Sequence, residues 1–248
     1  MEQRRGVFLA HDARLLSAVD SQVGSVPLIR ASGVTKTYPS KVETVWAVRD
    51  VNLAAHPGQF VCVFGASGSG KSTLLNLLAG LDLPDSGEIQ VGDHDVGRLD
   101  ESGRAQLRLR SIGVVFQDHN LIEEFTAVEN VALPLEASGV RFKAAHDEGL
   151  WQLARVDLSG LDARFPHELS GGQRQRVGVA RALTGERAIL LADEPTGSLD
   201  SAATTELFAL IRALCNEGLL AVVCSHDPEC RRFADTVYEM TDGCLAPA

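Results

Sequence analysis

No apolar run in this chain approaches the 18 or more residues that a membrane-spanning helix needs. The longest, such as Leu219-Leu220-Ala221-Val222-Val223-Cys224, are strand-sized. Basic residues are also short: 23 Lys and Arg stand against 33 Asp and Glu, for a net charge of -10. That balance argues against a dedicated nucleic-acid module and against a polybasic membrane-surface binder. The five cysteines (Cys62, Cys215, Cys224, Cys230 and Cys244) are an odd, scattered set with no C-x-x-C pair. They read as reduced thiols rather than a disulfide frame or a zinc site. Near the N-terminus, Arg4 and Arg5 precede Gly6-Val7-Phe8-Leu9-Ala10, which His11 and Asp12 cut off too early for a signal-peptide core. There is no internal repeat and no low-complexity tract. The expectation is a soluble, cytoplasmic chain of 248 residues, one large domain or one domain with a subdomain.

Residues 1–27 show no sustained period and end in Gly24-Ser25-Val26-Pro27, which reads as a mobile extension. From Leu28 onward the chain is patterned. Leu28-Ile29 and Val45-Trp46-Ala47-Val48 look strand-like, and Phe60-Val61-Cys62-Val63-Phe64 suits a strand buried on both faces. Glu88 to Val91, Ile112 to Phe116, Ala188 to Ala192 and Leu219 to Cys224 read as further strands. Helices are expected over 73–79, 143–155, 173–183 and 202–216. Between about 118 and 168 the pattern turns helical and more polar. Strands alternating with helices imply an α/β fold with a mostly parallel sheet covered on both sides.

The first chemical signal is Gly65-Ala66-Ser67-Gly68-Ser69-Gly70-Lys71-Ser72, followed by Thr73. It matches G-x-x-x-x-G-K-[ST] and lies between a strand and a helix, the context a phosphate loop requires. Backbone N–H groups exposed by glycine converge on phosphate oxygens at a helix N-terminus. Lys71 adds positive charge at the β- and γ-phosphates, and the Ser72 hydroxyl is placed to ligate Mg²⁺. Asp193 and Glu194 end a buried strand, where open α/β sheets bind ligands. Asp193 would hold Mg²⁺ through water, and Glu194 is the nearest candidate general base for an attacking water. Further on, Leu169-Ser170-Gly171-Gly172-Gln173 opens a helix with a capping serine and two glycines, a second N-terminus able to meet an anion. Arg174, Arg176 and Arg181 on that helix fit salt bridges or a solvated face better than a nucleic-acid patch.

Taken together, these motifs resemble the nucleotide-binding subunit of ABC transporters over about residues 28–245. The resemblance implies ATP and Mg²⁺ as ligands and a phosphate-loop (RecA-like) core. It also implies an antiparallel β subdomain and an inserted α-helical subdomain at about 118–168, within one ATPase domain over 28–248. By the same resemblance Gln117 touches Mg²⁺ and the helical subdomain, and Asp200 in Gly197-Ser198-Leu199-Asp200 belongs to the loop that meets a partner. His226 resembles the switch histidine at the γ-phosphate, and Tyr38 the aromatic residue that stacks on adenine. Ser170 to Gln173 would complete the ATP site of a second copy in a head-to-tail dimer.

The segments Val115 to Ile122, Thr126 to Pro134 and Ala192 to Gly197 are similar to the MacB, LolD and FtsE group. That similarity implies a MacB/FtsX-type integral-membrane permease as partner, moved to export, release lipoproteins or transmit force. The chain would then sit peripherally at the inner face of the cell membrane, with no nucleic acid bound. The chain departs from the group at Glu123-Glu124-Phe125, where Pro-Thr-Leu is commoner, and at Cys224, in place of Thr or Val. The alternatives are a low-turnover regulator of an extracytoplasmic enzyme and a DNA-repair ATPase. The latter type carries long coiled coils or zinc insertions, whereas here Ser170 lies 99 positions after Lys71 with no heptads between.

Overall fold

The computed structural model describes residues 26–39, 44–185 and 187–248. The extension read over residues 1–27 therefore lies, up to residue 25, outside the described residues. Among the described residues there are ten strands and seven α-helices, intermixed along the chain. The strands are β1 (Ile29–Pro39), β2 (Thr44–Ala55), β3 (Phe60–Phe64), β4 (Ser86–Val91), β5 (His94–Asp95), β6 (Ile112–Val115), β7 (Ile189–Asp193), β8 (Leu220–Ser225), β9 (Thr236–Thr241) and β10 (Cys244–Pro247). The helices are α1 (Lys71–Leu78), α2 (Glu101–Ser111), α3 (Ala127–Ala137), α4 (Phe142–Arg155), α5 (Gly171–Leu183), α6 (Ser201–Asn216) and α7 (Glu229–Phe233).

The strands form two sheets. One has the order β2-β1-β4-β5 and is antiparallel; the other has the order β10-β9-β3-β8-β7-β6 and is parallel except for the β9–β10 hairpin. Side chains alternate across a strand, so a sheet covered on both faces needs apolar residues at every position. In β3, Phe60 and Cys62 face a core built with α3, α5 and α6, which includes Val131, Val179, Phe208 and Ile211. Val61 and Val63 face the opposite core, shared with Leu74 and Leu78 of α1 and with Ile29, Val51 and Ile89 of the antiparallel sheet. The parallel sheet is thus the middle of three layers. Its strands carry their loops to one edge, where β3, β6, β7 and β8 each end beside the next functional segment.

Helix starts follow local capping chemistry. Thr126 and Glu129 form a reciprocal box at α3: Thr126 N–H donates to Glu129 Oε2 at 2.8 Å, and Thr126 Oγ1 accepts from Glu129 N. The buried Asn130 amide ties the preceding turn to that helix. It accepts from Ile122 N at 2.8 Å and donates to the carbonyls of Ile122, Phe125 and Thr126. The polar, helical stretch expected at about 118–168 thus contains α3 and α4, which pack on each other and on α5. Helix α2 and the β9–β10 hairpin escaped the sequence reading, as did the short β5 and α7. Helix α2 has few apolar residues and only Leu107 buried, so its periodicity is weak. The β9–β10 hairpin lies at a sheet edge, where most positions are part-exposed.

Candidate functional site

The loop from Gly65 to Gly70 leaves β3 and enters α1 directly. Gly70 sits at φ 109°, and a Cβ there would run into the Ala47 carbonyl oxygen, so β2 leaves room only for glycine. The loop is braced from behind by the β9–β10 turn. Gly243 N–H donates to the Ser69 carbonyl at 3.0 Å, and Arg49 N–H donates to the Gly243 carbonyl at 2.8 Å. Met240, Thr241 and Asp242 line a small cavity against Ala66 to Ser69. These bracing residues were missed in the sequence. Asp242-Gly243, both at positive φ, is a hairpin-turn signal that would have pointed to them.

Lys71 is buried at the centre of the loop. Its Nζ donates to the carbonyls of Gly65 at 2.7 Å and Ala66 at 3.0 Å, and lies 3.1 Å from Glu194 Oε1. Glu194 stands at the end of β7 with φ 47°, a strained conformation for a non-glycine residue. Its second oxygen accepts from His226 N–H at 3.2 Å and sits 2.9 Å from His226 Nδ1. A carboxylate only accepts, so Nδ1 carries the proton in this contact and Nε2 is directed elsewhere. One carboxylate thereby joins the phosphate loop to the end of β8.

Asp193, the residue before, is part-buried. Its Oδ1 is shielded from solvent and has no hydrogen-bond partner, and the Ser72 hydroxyl bonds to the carboxylate. Burial, and secondarily the neighbouring Glu194 charge, pushes its pKa up, while Ser72 and Lys71 oppose that shift. Ser69 Oγ is likewise buried and unpartnered inside the loop. Among the described residues no cluster of three His, Cys, Asp or Glu side chains is arranged to hold a metal. The Asp193 and Ser72 oxygens are nevertheless the hard donors that Mg²⁺ takes when phosphate and water supply the rest.

The remaining sequence-read residues surround this centre. Gln117 follows β6, and its side-chain amide lies over Gly197, where a Cβ would come within 3.1 Å of Nε2. Tyr38, at the end of β1, reaches the start of α1, where its hydroxyl contacts Thr73 and donates to Asp82 Oδ2 at 2.7 Å. Lys36 Nζ holds the other Asp82 oxygen at 2.8 Å and lies 5.3 Å from the Tyr38 ring centroid. Burial alone would raise the Asp82 pKa, but the bonds from Lys36, Tyr38 and the Leu83 N–H hold it below the usual carboxylate value.

Ser170 caps α5 in a second reciprocal box. Ser170 Oγ accepts from Gln173 N–H at 3.2 Å, and Ser170 N–H donates to Gln173 Oε1 at 2.9 Å. Asp200 caps α6, accepting from Ala203 N–H at 2.8 Å. A cavity of about 420 Å³ opens between these two helix starts, lined among others by Ser170 to Gln173, Ser198 and Asp200. Ser170 to Gln173 do not join the Lys71 centre; they form a separate, part-exposed face of the same chain. The three arginines of α5 form no free basic patch. Arg174 donates to the Leu169 carbonyl, Arg176 pairs with Asp157 and Glu206, and Arg181 donates to the carbonyls of His119 and Asn120.

Comparison with known proteins agrees with this geometry. The family described as ABC transporter matches residues 48–197. The chain is 42% identical over 223 residues to the lipoprotein-releasing system ATP-binding protein LolD of Hahella chejuensis, covering 90% of this chain and 96% of that one. It is 40% identical over 216 residues to the macrolide export ATP-binding/permease protein MacB of Salmonella typhimurium, covering 87% of this chain but only 33% of the relative. Among solved structures it resembles the dimeric post-hydrolysis state of the ATP-binding cassette MJ0796 bound to ADP and Pi. That match has 37% identity and a TM-score of 0.82, and covers 89% of this chain and 97% of that one. Its fold, its phosphate loop and these likenesses place the chain in the ABC transporter family, as an ATP-binding and ATP-hydrolysing cassette.

Proposed function

We propose that this cassette hydrolyses ATP between two copies of itself and that Glu194 is the base of the reaction. The observation that carries the reading is the shared carboxylate: Glu194 touches Lys71 through one oxygen and His226 through the other. Phosphate oxygens held by the Gly65 to Gly70 amides and by Ser72 and Thr73 would compete for Lys71 Nζ. Transfer of Lys71 to phosphate frees one Glu194 oxygen to orient and deprotonate a water, while His226 keeps the other in place. Asp193, Ser72 and Gln117 would hold Mg²⁺, which when bound neutralises charge on the phosphate oxygens. Tyr38, fixed by Asp82 and Lys36, is the platform for the adenine ring.

The second half of the site is Ser170 to Gln173 with Asp200. These lie apart from Lys71 in one chain, so they serve the nucleotide of a partner copy in a head-to-tail pair. The ATPase unit is assigned to 28–248, with its helical part at about 118–168 as the coupling subdomain. Glu123 and Glu124 are exposed beside the Asn130-stapled turn, a position suited to a permease of MacB/FtsX type. No described helix is long and apolar enough to cross a membrane, so such a permease would hold the chain peripherally at the cytoplasmic face.

The test is Glu194→Gln. It should retain ATP binding, lower turnover by about 10²- to 10⁴-fold, and accumulate an ATP-bound dimer on gel filtration. A near wild-type rate would remove Glu194 from the role of base.

A further inference from the structure

Arg181 lies near the C-terminal end of α5, the helix that begins at the Ser170 motif, and it bears on the segment that carries Gln117. Its two terminal nitrogens donate to consecutive carbonyls of that segment, His119 O and Asn120 O, each at 2.6 Å. Those two residues both adopt left-handed backbone, with φ 61° and 47°. Successive carbonyls of an extended or helical chain do not present themselves to one guanidinium in this way, so the strained turn and the fork fit each other.

No carboxylate lies within ion-pair distance of Arg181 among the described residues. Burial accordingly lowers its pKa. A part-buried arginine whose side chain has only carbonyl acceptors holds its geometry through those bonds. Residues 175, 178 and 181 repeat at helical spacing, so they share one face of α5. Gln175 lies beside the His119 ring, and Gly178 comes within 3.8 Å of His119 O at the position of a Cβ. The same helix therefore presents amides at its first turn and grips the Gln117 segment three turns later.

We infer that Arg181 is a positioning residue that links Gln117 to the Ser170 motif, so that occupancy of one ATP site sets the orientation of the other site's second half. The linkage runs by two routes, one to each end of α5. Gln117 lies over Gly197, and the neighbouring Ser198 carbonyl lies 3.8 Å from a Cβ at Gly171. Movement of Gln117 thus reaches the start of α5 through the 195–199 loop and its far end through Arg181. Helix α5 is a rigid element of 13 residues held at both ends by the segments that border the nucleotide. This inference rests on the two-copy reading above.

The test uses the full chain with Glu194→Gln as the parent, so that dimer formation is read without turnover. Arg181→Gln and the milder Arg181→Lys are compared by calorimetry for ATP binding and by gel filtration for the ATP-dependent dimer. The expected result is ATP affinity of the monomer within about twofold of the parent and dimer affinity lowered about 10-fold or more, with Arg181→Lys between, in the range of ordinary coupling between sites. Adding Arg181→Gln to Gln117→Ala should then cost less than it does in the parent, because loss of Gln117 already empties the route through Arg181. Full dimerisation by Arg181→Gln, or strictly additive losses with Gln117→Ala, would overturn the inference while leaving the two-copy reading intact. Equal loss of ATP binding and dimerisation in both Arg181 variants would reduce Arg181 to a fold-maintaining role and also overturn it. Failure of the Glu194→Gln parent to dimerise with ATP would sink the two-copy reading itself, and the inference with it.

Discussion

Lys71 Nζ and Glu194 Oε1 are 3.1 Å apart, in a site where the lysine side chain is 5% and the glutamate 14% exposed. The Gly65 and Ala66 carbonyls also hold Lys71 and His226 also holds Glu194, but the lysine is the fixed positive charge beside the carboxylate. Removing one leaves its partner part-buried without that opposite charge, which is a larger loss than the pair's own net contribution.

Lys71→Ala should therefore do two separable things. It should weaken ATP binding by about 10- to 100-fold, the value of a charge-assisted contact to phosphate, and it should lower the Tm by leaving Glu194 without the Lys71 charge. The double variant Lys71→Ala with Glu194→Gln should recover much of the Tm and none of the ATP affinity. Calorimetric titration and thermal melts of the three variants check both parts.

Asp193 presents the opposite case, a carboxylate whose pKa burial raises. A group with a folded-state pKa above its unfolded value near 3.8 favours folding while protonated, and that contribution is lost as pH rises through the folded value. At neutral pH the ionised, part-buried carboxylate is a burden on the fold. Asp193→Asn, which keeps a partner for Ser72, should raise the Tm at pH 7, with the gain shrinking toward pH 4, while Mg²⁺-dependent hydrolysis falls. An unchanged or lowered Tm at pH 7 would contradict the assignment.

Asp82 is held below its ordinary value by Lys36 and Tyr38, so it is ionised throughout the working range and fixes the Tyr38 hydroxyl. Asp82→Asn keeps one acceptor but loses the charge. It should raise the KM for ATP by a few fold with kcat unchanged, the signature of lost uniform binding. A fall in kcat at constant KM would place Asp82 in the chemistry instead of in adenine binding.

Ser170→Arg places bulk and charge at the start of α5, where the capping box lies. ATP affinity of the monomer should stay within about twofold, while dimerisation and turnover are lost; a helix N-terminus acts on anions only within its first turn. Mixed with Lys71→Ala, it should regain partial ATP-dependent dimerisation, because such a pair assembles one intact composite site. Loss of ATP binding by the Ser170→Arg monomer would end the two-copy reading.

The elements that position the site were legible where physics is local. A five-residue apolar strand running into glycines and Lys71 can hardly fold otherwise, since the loop needs exposed amides and the strand needs two covered faces. The same holds for Ser170 with Gln173 and for Asp200, whose capping bonds span three residues. Helix α4 and helix α6 came within a residue or two of their expected limits for the same reason: their apolar period is strong.

What only the tertiary structure decided is which distant segments meet. Glu194 was read as a base beside Asp193, yet its place between Lys71 and His226 depends on β7 lying next to β8 in the sheet, with β3 on β8's other side. Arg181 looked like one of three surface arginines, and its grip on His119 and Asn120 appears only when α5 packs under the chain leaving β6. The brace from Gly243 onto Ser69 joins residues separated by most of the chain. Caps, turns and periodicity act over a few bonds and leave their mark in neighbouring letters. Contacts of high sequence separation are set by strand order and layer packing, which no local window of the sequence contains.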